Sequence, residues 1–175
     1  IKRRKRRREK INNNKNIAVD YSGGKYFSVR VVTADGHAVG AGELVKFTIN
    51  GKSTIVKTDS KGIAKIKITQ LPKKYVITTT YNGKSVKNIV AVKHVVKASK
   101  VTVKKTAKRL TLKATLKING KLVKGKVIKF KFKGKTYKAK TNKKGVAKVI
   151  IKKNVIKKLK NGKKYTVKKS SYIFC

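Results

Sequence analysis

Along Val45–Asn50 apolar and polar side chains alternate strictly: Val45, Phe47 and Ile49 fall on one beat, Lys46, Thr48 and Asn50 on the other. Ile128, Phe130 and Phe132 repeat the pattern against Lys129, Lys131 and Lys133. A period of two puts every second side chain on one face of a strand, so each run predicts a strand with one buried and one wet face. Asn50–Gly51 and Lys133–Gly134 follow, with Gly where a tight reversal needs positive φ. Each predicts a hairpin whose return strand turns Thr54 and Val56, or Tyr137 and Ala139, inward.

The two runs belong to a longer repeat. "TDSKGIAKIKI", Thr58–Ile68, returns as "TNKKGVAKVII", Thr141–Ile151, and over Lys46–Ile68 against Lys129–Ile151 the constant offset of 83 residues leaves 11 of 23 positions identical. That period exceeds a solenoid unit and is long enough to close a small core of its own, so it predicts two domains. Asp59–Ser60–Lys61–Gly62 and Asn142–Lys143–Lys144–Gly145 read as turns. After them Ala64, Ile66 and Ile68, and Ala147, Val149 and Ile151, point inward. Further strands are expected at Tyr26–Thr33, Tyr75–Tyr81, Ser85–Val92, Leu110–Ile118 and Lys164–Lys169, with only a turn of helix near Val155–Lys160. About seven short strands per unit predict an all-β chain of two tandem β-sandwiches.

The expected layout is a basic disordered lead over 1–16, a first sandwich over 17–95, a link at Lys93–Lys100 and a second sandwich over 96–175. In the first unit Asn82–Gly83 leads into Ser85–Val92, a closing strand. The second has six residues after Lys169, so its sandwich is expected to lack the last strand, to be the less stable, and to leave Ser170–Cys175 frayed and Val127, Phe130 and Val167 partly uncovered.

"SVRVVTADGHAVGAGELVKFTINGKSTIVKTDSKGIAKIKI", followed by "LPKKYVITTTYNGKSV", resembles the immunoglobulin-like repeats of invasin and intimin type. With "GKTYKAKTNKKGVAKVIIKKNVIKKLKNGKKYTV" the chain is similar also to the tandem repeats of adhesin-like surface proteins of methane-producing archaea, over roughly Ile17 to Val167. The resemblance implies immunoglobulin-like sandwiches in a secreted or wall-attached stalk, where repeats act as spacers or adhesive modules, with neighbouring repeats as partners and no active site. The lead "IKRRKRRREKINNNKN" and the end "KKSSYIFC" depart from the pattern.

A formal net charge of +46 changes the picture. Forty-four of the 51 basic residues are Lys, and many sit on outward beats, as at Lys65 and Lys67 or at Lys129, Lys131 and Lys133. Lysine on sheet faces and edges resists edge-to-edge pairing, so a solvated surface is the plain reading. A diffuse attraction to anionic cell-wall or host-surface polymer is the functional one. Specific nucleic-acid recognition is disfavoured: Trp is absent, the aromatics mostly fall on inward beats, and Arg readers are few. The competing class is an intracellular basic protein that binds nucleic acid through the second unit and the cluster Arg3, Arg4, Lys5, Arg6, Arg7 and Arg8. That cluster could be a nuclear-localisation-like or polyanion-binding arm, but the favoured reading is a disordered flank, and with no apolar core behind it, it is not a signal peptide.

No catalytic constellation is expected. His37 sits in a turn beside Asp35–Gly36 and His94 in the link, neither at triad or zinc spacing. Asp20, Asp35, Glu43 and Asp59 could gather at one end of the first sandwich around calcium, but no ligand-loop pattern is present. No cofactor or metal is therefore expected. A Lys–Asn crosslink needs a neighbouring carboxylate, and the last of the five acids is Asp59. Cys175 is the one cysteine, which excludes a disulfide within the chain. No segment reads as membrane-spanning, and with no Met anywhere the sequence is expected to be part of a longer, extracellular protein.

Overall fold

Asn50 and Gly51 take φ of 50° and 75°, and Lys133 and Gly134 take 49° and 76°. Two successive positive values give the reversal whose twist matches that of the strands on either side. The turn joins β4 (Leu44–Ile49) to β5 (Lys52–Lys57) in one case and β12 (Val127–Phe132) to β13 (Lys135–Lys140) in the other. Ile49 faces Lys52 and Phe132 faces Lys135, so both loops are two residues long.

The computed structural model describes residues 9–12, 14–98, 101–104, 106–160, 162, 165 and 167–169. Two compact units result: described residues up to 19 with 24–93, and 20–23 with those from 94 onward.

In the first unit the other strands are β1 (Lys10–Asn12), β2 (Ile17–Asp20, whose last residue belongs to the second unit), β3 (Tyr26–Val32), β6 (Ile63–Lys67), β7 (Lys74–Tyr81) and β8 (Lys84–Lys93). They form a three-stranded sheet, β1-β3-β6, and a five-stranded one, β2-β8-β7-β4-β5, with β1–β3, β3–β6, β4–β5, β4–β7 and β7–β8 antiparallel. Phe27, Val29, Val31 and Ala64 from the first sheet are fully buried with Val45, Phe47, Ile77 and Val90 from the second. Phe27 and Phe47 meet edge to face at 6.0 Å and 89°. Such a pair contributes about 0.5–1.5 kcal/mol beyond its burial. This is the immunoglobulin-like sandwich, with a Tyr near the start of β7 whose hydroxyl donates back to the backbone, Tyr75 Oη to Leu71 O at 2.9 Å.

The second unit holds β9 (Val96–Ala98), β10 (Arg109–Ile118), β11 (Lys121–Leu122), β14 (Val146–Lys152), the one-turn α1 (Lys153–Ile156) and β15 (Lys168–Lys169). One sheet runs β11-β10-β14 with β9 on β10, the other β13-β12-β15. Leu116, Ile128, Phe130, Ala147, Ile151 and Ile156 are fully buried in a single core.

The repeat is a shared set of hydrogen bonds. Gly62 N donates to Asp59 O and Gly145 N to Asn142 O, each at 2.9 Å. Asp59 Oδ1 accepts from Lys61 N and Ile63 N at 2.9 Å, and Asn142 Oδ1 from Lys144 N and Val146 N at 3.0 Å. Upstream, the buried hydroxyls of Thr58 and Thr141 accept from Glu43 N and Lys126 N at 3.0 Å, and Thr58 Oγ1 donates to Gly40 O at 2.7 Å. Gly62 and Gly145 are required twice over. Their φ are 70° and 64°, and a Cβ would stand 2.5 Å from Val31 O and 2.7 Å from Leu116 O.

Several expectations change. The lead is not irregular to residue 16: Lys10, Ile11 and Asn12 pair with Val32, Val31 and Arg30, because β3 offers a free edge and Ile11 is buried on it. The link at Lys93–Lys100 is partly second-unit core, since Val95 and Val96 are buried and β9 pairs with β10. Thr54 is exposed, because β5 is the sheet's outermost strand and presents little inward face; Val56 beside it is half-buried. Phe130 loses no cover, lying in one core with Ile156 and Leu159 from α1 and the turn after it. Among the described residues no strand pairs with the far edge of β15, where β7 takes β8 in the first unit. Ser170–Cys175 lie outside the described residues, as does Lys164.

Candidate polyanion-binding surface

Arg3, Arg4, Lys5, Arg6, Arg7 and Arg8 lie outside the described residues. The three lysines of β12 and its turn do not form one uniform row. Lys131 is exposed opposite Thr136. Lys129, opposite Lys138, is half-buried and makes contacts of its own. Lys133 sits in the left-handed turn rather than on the strand, with its ammonium 5.1 Å from the Tyr165 ring centroid. Tyr165 in turn lies edge-on to Phe132 at 6.4 Å and accepts at its hydroxyl from Lys160 N at 2.9 Å. Lys133 is thus tied to the packing of its own turn, a cation–π contact of about 0.5–1 kcal/mol at an exposed site.

The carboxylates are dispersed, each engaged by a neutral donor. Glu9 accepts from Asn82 Nδ2, Asp59 closes its turn, and Glu43 accepts from Tyr81 Oη at 2.8 Å. Asp20, within the second unit, accepts from Asn119 N at 2.7 Å. Asp35 accepts from Thr33 Oγ1 and lies 3.1 Å from His37 Nδ1. The Thr33 hydroxyl chiefly, then a backbone N–H and His37, hold the Asp35 carboxyl below its ordinary value. Burial first, then Glu43, pushes the Tyr81 phenol up. No three His, Cys, Asp or Glu side chains gather to hold a metal among the described residues. The calcium arrangement of Asp20, Asp35, Glu43 and Asp59 is therefore not formed. His94 is exposed beside buried Val95.

Among the described residues no helix is long and apolar enough to cross a membrane. Sequence reasoning missed the buried Thr58 and Thr141, although both open the repeated motif. It missed the Glu43–Tyr81 contact for want of any local signal, the two being 38 residues apart.

No protein-family model and no curated protein matches the chain. Among solved structures it is similar to a Ca2+-stabilized adhesin that helps an Antarctic bacterium reach out and bind ice, with 16% identity over 78% of this chain and a TM-score of 0.29. It is similar also to a tetra-tandem repeat from the extending region of a large adhesion protein, at 13% identity over 75% of this chain with a TM-score of 0.31. A third is titin A168169, at 12% identity over 83% of this chain with a TM-score of 0.35. The chain spans 38% and 39% of the two adhesin structures and 95% of the titin one.

Proposed function

We propose that this chain is a tandem-repeat segment of an adhesin-like cell-surface protein, of the kind its sequence resembles in methane-producing archaea. Its units are spacers that display neighbouring parts of a longer chain, and their lysine-rich surface is drawn to anionic cell-wall or host-surface polymer. The observation that carries the reading is the recurrence of one hydrogen-bonded frame in both units: the Asx turn, the buried Thr and the two-residue hairpin. What is repeated is framework, kept even where its residues differ, as with Asp59 and Asn142 at the turn or Asn50 and Lys133 at the hairpin. A catalytic protein would concentrate its distinctive residues at one place; here they are spread over sheet surfaces.

Immunogold labelling of intact source cells with an antibody to this segment tests it. Labelling of the outer surface without permeabilisation is expected. Labelling only after permeabilisation, concentrated over nucleic acid, would overturn it in favour of an intracellular basic protein.

A further inference from the structure

The outward face of the β10–β14 pair carries an arrangement that the first unit lacks. In the second unit Arg109 stands directly opposite Lys152 and Lys113 directly opposite Lys148, and all four side chains are exposed. Between these rungs lies the neutral row Thr111–Ile150, with Ile150 49% exposed. Lys97 on β9 continues the face beside Thr115, and Lys117 follows on β10.

The corresponding strands of the first unit are β3 and β6. The correspondence is set by register: Val29 faces Ala64 as Ala114 faces Ala147, and Val31 N reaches Gly62 O as Leu116 N reaches Gly145 O, each at 2.8 Å. There every outward row sets one cation against a neutral residue: Tyr26–Lys67, Ser28–Lys65 and Arg30–Ile63. Lys65 also places its ammonium 5.6 Å from the Tyr26 ring centroid. The β10–β14 pair instead opposes cation to cation twice, and from His94 onward the chain has no Asp or Glu to relieve it.

Like charges directly opposite one another on a sheet are unfavourable for folding. The two rungs repel within the free protein and lose that repulsion when an anion lies across them, so they bind anions more strongly than the same lysines scattered. Paired side chains stand about 5 Å apart across the strands, and rungs four residues apart along a strand are separated by about 13–14 Å. We propose that this face is a docking platform for a linear anionic polysaccharide laid along the strands, its acid groups at the two rungs and a sugar ring over Thr111 and Ile150. Charge complementarity selects a polyanion. The described outward positions of β10 and β14 hold no aromatic ring on which a base could stack, which disfavours single-stranded nucleic acid. This inference rests on the proposed attraction to anionic polymer and localises it.

The test compares the whole chain with two variants of equal charge loss. One carries Arg109→Gln, Lys113→Gln, Lys148→Gln and Lys152→Gln; the other carries Lys46→Gln, Lys52→Gln, Lys57→Gln and Lys87→Gln, which lie exposed on the first unit's larger sheet. Binding to polygalacturonate, a carboxylated polysaccharide, and to duplex DNA is titrated across salt concentration, with circular dichroism confirming that each variant is folded. The face variant is expected to lose about tenfold or more in polygalacturonate affinity and to show a shallower salt slope by about 3, the control about twofold or less. Equal losses in both variants would overturn the platform while leaving diffuse attraction intact. No binding by the parent chain even at low salt would overturn both. Tighter binding to DNA than to polygalacturonate would overturn the choice of occupant.

Discussion

Tyr81, at the end of β7, donates its phenolic hydrogen to Glu43 Oε2 at 2.8 Å and is itself almost wholly buried. The bond joins β7 to the residue that enters β4, the same residue whose N–H is held by the Thr58 hydroxyl. Lys126 occupies the position of Glu43 in the second unit, so this tie belongs to one copy only.

Tyr81→Phe is expected to destabilise the first unit by about 1 kcal/mol at neutral pH. Because the folded protein holds the phenol above its ordinary value of 10.0, the neutral form is the favoured one. Its contribution is fully present below pH 10.0 and is lost as the pH rises toward the higher folded value. In urea titrations the parent's advantage over Tyr81→Phe should therefore shrink above that pH, by up to about 1.4 kcal/mol per pH unit. An advantage that is constant with pH would show that Tyr81 titrates as it does in the unfolded chain.

Gly62→Ala and Gly145→Ala should each destabilise their own unit by about 2–3 kcal/mol, combining a left-handed backbone with a Cβ driven into a strand carbonyl. Gly51→Ala, at a φ of 75° with nothing within 4 Å of its Cβ, meets only the first penalty and should cost less. Equilibrium denaturation of the three variants checks the ranking.

Thr58→Val removes an acceptor for Glu43 N and a donor to Gly40 O, whereas Thr141→Val removes an acceptor for Lys126 N. Both leave a buried or half-buried backbone group without its partner, a cost of about 1–3 kcal/mol. Faster amide exchange at Glu43 and Lys126, confined to the altered unit, is the expected signature.

Lys148→Glu places a carboxylate directly across from Lys113. It should stabilise the second unit by about 0.2–1 kcal/mol at low salt, with the gain fading as salt rises. Thermal melts at two ionic strengths measure it.

The alternation at Val45–Ile49 and Ile128–Phe132 made both central strands and their inward faces legible, and the Asn–Gly and Lys–Gly reversals fixed the hairpins. Asp59 and Asn142 announced their turns because the side chain bonds the backbone two and four residues on, within reach of local reading. The strand at Lys10–Asn12 was illegible: only Ile11 is apolar there, and its order comes from the edge of β3 some twenty residues later. Thr54 was misplaced since alternation cannot say whether a strand is central or marginal. The opposed pairs Arg109–Lys152 and Lys113–Lys148 were hidden because lysine density is visible along the chain but register is not.

The two-residue reversals at Asn50–Gly51 and Lys133–Gly134 also bear on fidelity during folding. Copies sharing 11 of 23 residues in one chain could exchange strands, β4 closing on β13 or β12 on β5. A strand's proper partner begins two residues away, while the equivalent strand of the other copy lies some 83 residues off. On a logarithmic loop-closure cost that gap favours the native partner by about 3 kcal/mol. Each hairpin therefore assembles from its own sequence before the other copy can compete, and a longer, looser reversal at either site would expose the chain to domain-swapped misassembly.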